Sequence, residues 1–578
     1  MIVSLRTVLL SLLLLPTLVH AQSPGAPPQG NLIERERPPV PTPTAPGLRL
    51  PAPAPPAAFA PGQSGRIGSV SINGATAYPP AELAPLIEGL TGPAVPYARV
   101  EQARQAILAR YRNDGYVLTS VSSALSANGS LMFNITEGYI ADVKLDGDIG
   151  PAGTQVLRFL SRLLDERPIS ISRLERYLLL ASDVPGVTLR SVLRPSPDDP
   201  AAVTLVAQVS RRPFEGYLSA DNRAFRLTGP EQLLAVGGFN SFSQFGERTE
   251  LSILHSFNNT QTFGQAATEF FAGGSGVKIR LYGGAGGSNP SGDLRALGYD
   301  GRTRVFGGQA SYPIIRRRDQ TLTAIAAFDA IESDIHTDTG PFVLGRNTPA
   351  RASFDSLRIL RGGADYVLQD LVLGGDRTGV TNIVLRGSKG LNSLGATQSG
   401  DPQAGRVGSR TDFLKASAEV SRSQVLFSPY QDAVLELYAM ASGQVSNSVL
   451  PPAEKFFLGG IRMNRGFYAG EVTGDNAVST SVELRLNTGF PWEPYGQPLF
   501  VKTQFYLFND WGETWENQQQ DPNKRLMSFG GGVRASVTRY VSVQLEGVER
   551  LTRQPQGSSA SVSRLKATAF YWGLTTRW

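Results

Sequence analysis

The sequence predicts two small α+β repeats followed by an antiparallel transmembrane β-barrel of about 16 strands. The same order of strand and helix patterns occurs twice between residues 66 and 211. The remainder of the chain contains no long apolar run, yet apolar and polar residues alternate in it repeatedly. This alternation is typical of membrane strands that have one lipid face and one lumen face. The chain also has 62 glycines among its 578 residues, which favours many turns and close strand packing.

The composition excludes several classes of function. The chain has no cysteine, and its 3 histidines are His20, His255 and His336. Disulfides, cysteine zinc sites and thiol nucleophiles are therefore excluded. The spacing of the histidines fits neither a metal cage nor a Ser-His-Asp triad. The formal net charge of +6 is not concentrated in Lys/Arg runs, so nucleic acid is a poor candidate partner. We expect no catalytic residue, no metal site and no cofactor.

Residues 1–21 read as a secretory signal peptide. Arg6 precedes an apolar stretch from Val8 to Leu15, Pro16 ends that stretch, and Val19 and Ala21 are small residues suited to cleavage after position 21. A membrane anchor is the alternative, but the apolar run is shorter than the ~20 residues that a spanning helix needs. The chain is therefore expected to leave the cytoplasm.

Residues 22–65 read as a proline-rich linker. This segment holds 13 prolines in 44 positions. Such a composition cannot propagate a helix or bury a core, and it behaves as a polyproline-like spacer.

Two repeats of about 70–75 residues follow, at 66–138 and 139–211, each with the order β-α-α-β-β. The predicted strands and helices are 67–74, 81–90, 100–111, 116–122 and 130–135 in the first repeat, and 140–145, 153–163, 172–181, 187–193 and 202–209 in the second. Each repeat is large enough for a small core. An edge strand of such a fold can accept an extended peptide by β-augmentation, or it can simply be blunted, and both alternatives remain open.

Residues 212–578 are predicted to form the barrel. Apolar Val482 and Leu484 alternate with Ser481, Glu483 and Arg485, and three further segments show the same alternation, around Lys278 and Arg280, around Lys415 and Glu419, and around Val541. A soluble sandwich would alternate too, but a water-filled lumen tolerates charges of both signs while lipid accepts the apolar face. About 23 residues per strand leave room for about 16 strands. With a signal peptide in front, this pattern predicts a Gram-negative outer membrane protein.

The last strand has an amphipathic pattern. Phe570, Trp572, Leu574 and the final residue Trp578 fall on one face of it. This pattern resembles the C-terminal signal by which outer-membrane barrels are recognised for insertion, which implies the barrel-assembly machinery as a partner during biogenesis. An ordinary closing strand with an interfacial aromatic residue would look the same.

Two motifs carry a family resemblance. Arg465-Gly466-Phe467 lies in a segment that resembles the long-loop motif of the outer membrane protein 85 superfamily, and Phe508-Asn-Asp510-Trp-Gly512 resembles its barrel-wall motif. Together with a signal peptide, two polypeptide-transport-associated (POTRA) repeats and a 16-stranded barrel, they make the whole chain similar to the TpsB transporters of two-partner secretion, the haemolysin-activator and filamentous-haemagglutinin-transporter type.

The resemblance implies how these residues meet. In the family the loop folds back into the barrel and its arginine pairs with the wall aspartate, here Arg465 with Asp510. Strand alternation turns Phe508 and Asp510 into the lumen, while Gly466 and Gly512 would allow close backbone approach and Phe467 would pack beside the pair. Arg465 and Asp510 could instead be separate, solvated lumen charges. Asn464 departs from the Val or Ile of the family motif, so the packing of the loop tip is open.

The resemblance also implies a function. It is the export of a large unfolded partner protein, a TpsA-type haemolysin or adhesin, from periplasm to cell surface without ATP and without catalysis. The alternatives are a barrel-assembly factor of the same superfamily and a passive porin or solute exporter. Family members often close the pore with a helix ahead of the first repeat. Here prolines leave only Asn31 to Arg37 as a turn of helix, so the sequence does not support such a plug.

Overall fold

The computed structural model describes residues 32–36, 63–343, 346–493, 496, 499–518, 522–555 and 564–578. The predicted signal peptide and most of the predicted linker therefore lie outside the described residues. The described chain consists of a short helix, α1 (Leu32–Glu36), two α+β units and a closed antiparallel barrel. No helix in these ranges is both long and apolar enough to span a membrane.

The first α+β unit has a three-stranded sheet in the order β2-β5-β4, with β2 and β5 parallel. A separate ribbon pairs β1 with β3. The elements of the whole first unit are β1 (Ser64–Ile67), β2 (Ser69–Asn73), α2 (Pro80–Leu83) with a 3₁₀ turn at Ala84–Leu86, β3 (Gly92–Pro96), α3 (Tyr97–Asn113), β4 (Ser120–Leu125) and β5 (Ser130–Thr136). The predicted helix over 81–90 is shorter than expected, because Pro85 lacks an amide hydrogen and Gly89 adopts a positive φ of 72°.

Glu137 fixes the end of β5 to the start of this unit. Its carboxylate accepts hydrogen bonds from the amides of Thr76 and Ala77, at 2.9 and 3.0 Å, and from the Tyr111 hydroxyl at 2.6 Å. Burial alone would raise the pKa of Glu137, but these hydrogen bonds together with one from the Thr76 hydroxyl hold that pKa below its usual value. The carboxylate is therefore charged at neutral pH and keeps these segments together.

The second unit repeats the arrangement, with the sheet order β6-β8-β7. Its elements are β6 (Tyr139–Asp146), α4 (Ala152–Leu160) with a 3₁₀ turn at Ser161–Asp165, α5 (Ile171–Ser182), β7 (Val187–Pro195) and β8 (Ala202–Arg211). Both helices bury apolar faces against one side of the sheet, with Phe159, Leu174 and Leu205 fully buried in the core. The second unit therefore has the predicted β-α-α-β-β order, whereas the first unit adds β1 and β3, which pair with each other outside the sheet.

The second unit is docked onto the barrel. Phe159 packs edge-to-face against Phe271 of the barrel, with ring centroids 5.1 Å apart, so Phe271 completes the core of the unit. Polar contacts reach three successive strand connections: Arg158 to the Gln244 carbonyl at 3.2 Å, Gln155 to the Gly273 carbonyl at 2.8 Å, and Asp183 to Arg316 at 2.7 and 2.9 Å. The second unit therefore lies at the barrel end that carries the short connections β10–β11, β12–β13 and β14–β15.

The barrel closes through sixteen antiparallel strands, with the last, β28, paired to the first, β9. The elements in chain order are β9 (Phe214–Asp221), β10 (Gln232–Asn240), β11 (Arg248–Ser256), β12 (Gln261–Phe271), β13 (Lys278–Ser288), α6 (Asp293–Ala296), β14 (Asp300–Arg316), β15 (Gln320–Thr337), the short pair β16 (Phe342–Val343) and β17 (Arg346–Asn347), β18 (Ala350–Asp370), β19 (Gly379–Gly390), β20 (Leu414–Phe427), β21 (Val434–Ser446), the short pair β22 (Phe456–Leu458) and β23 (Val472–Gly474), β24 (Asn476–Trp492), β25 (Leu499–Trp515), β26 (Lys524–Ser536), β27 (Val541–Arg550) and β28 (Thr568–Arg577). The predicted fold class is confirmed.

The alternation predicted from the sequence separates two faces. On β24, Val482 and Leu484 are exposed on the outer surface, whereas Glu483 between them is buried inside. On β25, Leu507 is 66% exposed and the neighbouring Phe508 is 4% exposed. The outer face is therefore apolar and suited to lipid, and the inner face carries the charged side chains.

The helix α1 lies inside the barrel, which corrects the expectation that no plug is supported. Leu32 and Ile33 are buried in one cluster with inward-facing residues of several barrel strands. The prolines do limit the helix, since it has 5 residues. A single turn is nevertheless enough when the lumen wall supplies the packing that an isolated helix of this length lacks.

Candidate functional site in the barrel lumen

A long connection between β21 and β24, residues 447–475, folds into the lumen and is called here the inward loop. Its β22 and β23 pair as a small hairpin, and Gly459 and Gly460 both have φ of 101° where the chain leaves β22. A positive φ of this size favours glycine. The predicted loop motif lies at the tip of this hairpin.

Arg465 is bound to the barrel wall by its backbone and by its side chain. Its amide and Nε donate to Asp510 Oδ2 at 2.8 and 3.0 Å, and its Nη2 donates to Asp510 Oδ1 at 2.8 Å. The guanidinium lies over the Phe508 ring, 4.2 Å from the centroid. Arg465 is 5% exposed and Asp510 is 0% exposed. The geometry is a bidentate, charge-assisted pair rather than two solvated charges.

Glu483 is a second carboxylate partner of Arg465, which the sequence did not reveal. Arg465 Nη1 donates to Glu483, and Nη2 donates to Ser481 Oγ at 2.9 Å. Glu483 also pairs with Arg485 and, at 3.1 Å, with Arg534. The site is therefore a network of alternating charges in which each buried carboxylate has at least one guanidinium.

Gly466 lies where no side chain fits. A Cβ atom at this position would lie 2.5 Å from Ser528 Oγ, 2.6 Å from Ser528 Cβ and 2.8 Å from Val548. The Gly466 carbonyl accepts hydrogen bonds from Arg550 Nε at 2.6 Å and from the Tyr571 hydroxyl at 3.0 Å. The loop tip therefore touches the wall with its backbone.

Arg223, just after the first barrel strand, holds the neighbouring peptide group. Its Nη1 donates to the Arg465 carbonyl at 2.7 Å, and its Nη2 forms an ion pair with Glu546. Its guanidinium also lies 4.1 Å from the centre of the Tyr571 ring. The loop tip is thus bound from the first strand as well as from the last strands of the barrel.

The conformation and contacts of Asn464 explain why this position is not the Val or Ile of the family motif. Its φ is 50°, a left-handed conformation that asparagine adopts more easily than a β-branched residue. The side chain is fully buried, and its Oδ1 accepts a hydrogen bond from Ser479 Oγ at 3.0 Å. A Cβ at Gly512 would lie 2.5 Å from the same Oδ1 atom. Asn464 and Gly512 therefore fit together, and the tip is packed.

Phe467 anchors the tip in a small apolar cluster. It is 0% exposed and packs with Leu458, Val472, Leu526 and Leu565. The cluster joins both arms of the hairpin to the barrel wall. Of the predicted motif residues, the structure thus brings together the three at the loop tip and Phe508, Asp510 and Gly512 on β25.

The final strand has its predicted aromatic face outside. Phe570, Leu574 and Trp578 are 62%, 40% and 62% exposed, and Trp572 is partly exposed, whereas Tyr571 points inward to the loop tip. The four residues of the predicted insertion signal are therefore on the outer surface of the barrel.

A second buried charge network joins three connections at the barrel end opposite the second α+β unit. Arg406 pairs with Asp475 and, at 3.0 Å, with Glu516, which in turn accepts from Lys455 at 2.7 Å. The side chains of Arg406, Asp475 and Glu516 are each at most 1% exposed. This network ties the connection before β20, the inward loop and the connection after β25 at this end of the barrel.

The helix α1 makes a different contact with the wall. Leu32 and Ile33 are 7% and 0% exposed, and they pack against inward-facing apolar residues of the barrel. The adjacent Glu34 forms an ion pair with Arg280 of β13 at 2.6 Å. The side chains of Glu34 and Arg280 are 37% and 22% exposed, so water reaches this pair.

Comparisons with known proteins agree with this architecture. The family described as "Haemolysin secretion/activation protein ShlB/FhaC/HecB" matches residues 370–535, and "POTRA domain, ShlB-type" matches residues 66–138. The Heme/hemopexin transporter protein HuxB of Haemophilus influenzae (strain 86-028NP) is 20% identical over 468 residues, which cover 78% of this chain and 77% of HuxB. This relative is a transporter by its description.

Two solved structures share the fold. CdiB from Escherichia coli is 17% identical with a TM-score of 0.68, over 93% of this chain and 94% of that one. CdiB from Acinetobacter baumannii is 14% identical with a TM-score of 0.61, over 93% and 95% of the two chains.

A closed 16-stranded barrel that follows a POTRA domain and holds an inward loop defines an outer-membrane protein of the outer membrane protein 85 superfamily. Within that class, the match to the haemolysin secretion/activation family and the similarity to HuxB indicate the particular family. The chain is a TpsB-type transporter of two-partner secretion, located in the outer membrane with its POTRA domain in the periplasm.

Proposed function

We propose that this TpsB-type transporter receives a large, unfolded TpsA-type haemolysin or adhesin in the periplasm and passes it through the barrel lumen to the cell surface. One observation carries the proposal: the lumen already contains polypeptide, namely the inward loop and α1. A lumen that holds a folded-in hairpin and a helical turn has the width for an extended chain once one of these segments leaves.

In this proposal residues 66–138 are the first POTRA repeat, residues 139–211 the second, and residues 212–578 the barrel. The edge strands β2 and β4 of the first repeat have unpaired backbone groups on one side, which an extended client can pair with by β-augmentation. The second repeat is fixed to the periplasmic turns. The client is therefore delivered close to one side of the barrel mouth.

The motif residues act as a seat for the inward loop. Arg465, Gly466 and Phe467 at the tip, and Phe508, Asp510 and Gly512 on the wall, keep the loop beside β24 to β28. This leaves the side of the lumen where α1 lies as the path for the client. Export needs no ATP and no catalysed reaction, because folding of the client outside the cell prevents its return.

Insertion of the barrel into the membrane precedes export, and in this proposal it depends on four residues of the last strand: Phe570, Trp572, Leu574 and Trp578. Their outward position on the closing strand suits recognition by the barrel-assembly machinery during insertion. Trp578→Ser should lower the amount of folded barrel in outer-membrane fractions without changing export per inserted barrel.

The proposal is tested by co-producing the chain with a TpsA-type protein from the same genome and measuring that protein in the medium. Deletion of residues 66–138 should abolish export while the barrel still inserts and conducts ions in planar bilayers. This deletion spares the second repeat, whose core includes Phe271 of the barrel. Unimpaired export by the deletion variant would contradict the receptor role, and full-length barrels that never conduct would contradict the pore.

A further inference from the structure

The lumen wall beneath α1 is apolar, although the lumen faces of outer-membrane barrels are usually polar. Leu234, Leu254 and Phe263 are direct cross-strand neighbours on β10, β11 and β12, and Val236 lies next to them. All four are at most 3% exposed. Three adjacent strands therefore present one continuous aliphatic and aromatic surface to the inside of the barrel.

The segment that covers this wall has a simple chemical pattern. Leu32 and Ile33 pack in the apolar cluster, and the next residue, Glu34, reaches Arg280 on the adjacent strand β13 at 2.6 Å. The wall thus holds two aliphatic side chains followed by one carboxylate. The apolar surface contacts Leu32 and Ile33, and the cation of Arg280 lies beside that surface, where it pairs with Glu34.

The helical form of α1 depends on the wall. A helix of 5 residues is far below the length at which helices are stable in water. The wall therefore stabilises α1 through its side chains, and another segment with the same side chains can make the same contacts by forming one helical turn on the wall. A cavity of about 300 Å³ adjoins Glu34, between Tyr282 and Arg361, and leaves space for more chain.

We propose that the wall formed by Leu234, Val236, Leu254 and Phe263, together with Arg280, is a binding site for segments of the exported protein that carry two adjacent aliphatic residues followed by an acidic one. The helix α1 occupies this site in the resting transporter because it presents the same pattern. This inference rests on the proposed export function, and it adds the chemical class of the segments that the lumen binds.

The physical reason is that the wall cannot remain uncovered at low cost. When α1 leaves, the four apolar side chains would face water in the lumen, which is unfavourable. A client segment with aliphatic residues restores the apolar contact, and its carboxylate replaces Glu34 beside Arg280. The exchange of α1 for the client is then close to neutral in free energy, as a passive transporter requires.

The site can be tested on the full chain in detergent micelles, without a partner protein. The probe is a Gly/Ser peptide that contains Leu-Ile-Glu and a benzophenone group, and the readout is photolabelling of the barrel. The variant Leu32→Ser/Ile33→Ser vacates the wall and should raise labelling at least fivefold over the parent chain. Matched peptides with Ser-Ser-Glu or Leu-Ile-Lys in place of Leu-Ile-Glu should label that variant at least fivefold less.

Wall substitutions in the vacated variant locate the site. Leu254→Ser and Arg280→Gln should reduce labelling by Leu-Ile-Glu to the level of the control peptides. Two matched controls should not reduce it: Ile253→Ser, whose side chain is 49% exposed on the outer face, and Arg386→Gln, a barrel arginine that pairs with Asp365 at 2.6 Å. Labelling is counted only for folded barrels, which are recognised by their heat-modifiable gel mobility. If Leu254→Ser does not fold, Val236→Thr, which keeps the side-chain shape, replaces it.

Two outcomes would overturn the inference. One is equal labelling by the Leu-Ile-Glu and Ser-Ser-Glu peptides, and the other is labelling that neither the vacated wall nor the wall substitutions change. Both are distinct from failure of the proposed function. Loss of export in cells would contradict secretion and leave the labelling result intact, because labelling needs neither a client nor ion conduction.

Discussion

The inward loop and α1 both lie in the lumen, but they are held there by different interactions. Arg465 of the loop is bound to two buried carboxylates, and its carbonyl is bound by Arg223. The described side chains of α1 instead contribute two aliphatic contacts and the part-exposed pair of Glu34. Buried charge networks depend on each partner, whereas apolar contacts are non-directional and accept a substitute. The difference predicts that the loop is a fixed part of the barrel and α1 an exchangeable one.

The largest effect is expected at the loop. Arg465→Ala leaves Asp510 without its side-chain partner and removes one partner of Glu483, so we expect a loss of about 3–5 kcal/mol in barrel stability and loss of export. Asp510→Ala should cost less, because Arg465 keeps Glu483. The double variant should match Arg465→Ala. Thermal unfolding followed by gel mobility measures the loss of barrel stability, and exported protein per inserted barrel measures the loss of export.

Arg462→Ala is the matched control for this series. Arg462 belongs to the same loop, but its ion pair with Glu419 is half exposed, with side-chain exposures of 50% and 22%. An exposed pair contributes below about 1 kcal/mol. The claim that the Arg465–Asp510 contact fixes the loop to the barrel wall would be contradicted by either of two results. One is that Arg462→Ala is as harmful as Arg465→Ala, and the other is that the losses of Arg465→Ala and Asp510→Ala add fully in their double variant.

The second effect concerns the close approach of the loop backbone. Gly466→Ala places a methyl group 2.5 Å from Ser528 Oγ, and overpacking of this kind costs about 3 kcal/mol. Gly547→Ala on β27 is the control, because a Cβ there meets nothing within 4 Å. The two unfolding midpoints should differ clearly, and equal midpoints would show that the tip does not press against the wall.

The third effect tests α1. Ile33→Ala removes part of a fully buried side chain and should weaken the seating of α1 by about 2 kcal/mol. The unfolding midpoint of the barrel should stay unchanged, while the open probability in planar bilayers should rise. A lower midpoint without any change in conductance would mean that α1 is a structural part of the barrel, like the loop.

The smallest effect is expected for Glu34→Gln. Because water reaches the pair of Glu34 with Arg280, its loss should cost below about 1 kcal/mol. The open probability should rise less than in Ile33→Ala, and high salt should reduce the difference from the parent chain. An effect larger than that of Ile33→Ala would show that charge, rather than apolar contact, holds α1.

The sequence predicted the faces of the strands better than the contacts between them. Alternation alone placed Asp510 and Glu483 on the inner face, as observed. That Arg465 would bind both could not be read from the sequence, because it depends on the register of β24 and β25, in which Ser481 is opposite Asp510 and Glu483 is opposite Phe508. Register is a non-local property of strand pairing.

The position of α1 was missed for a related reason. A turn of 5 residues flanked by prolines is too short to show an amphipathic period. Its stability comes from the wall, whose residues Leu234 and Phe263 are distant in sequence and look like ordinary members of alternating strands. The signal that could have found it is the presence of apolar residues on the lumen face of three neighbouring strands.

The covalent link between α1 and the first repeat has a kinetic consequence. Residues 37–63 connect the end of α1 to β1, so α1 remains part of the same molecule after it leaves the wall. A tethered segment returns by a first-order process, because its effective concentration at the wall is set by the tether and not by the amount of protein. A passing client must outcompete this local concentration, and when its end has left, α1 returns without any other component. The permeability barrier of the outer membrane is then restored after each passage by the same molecule.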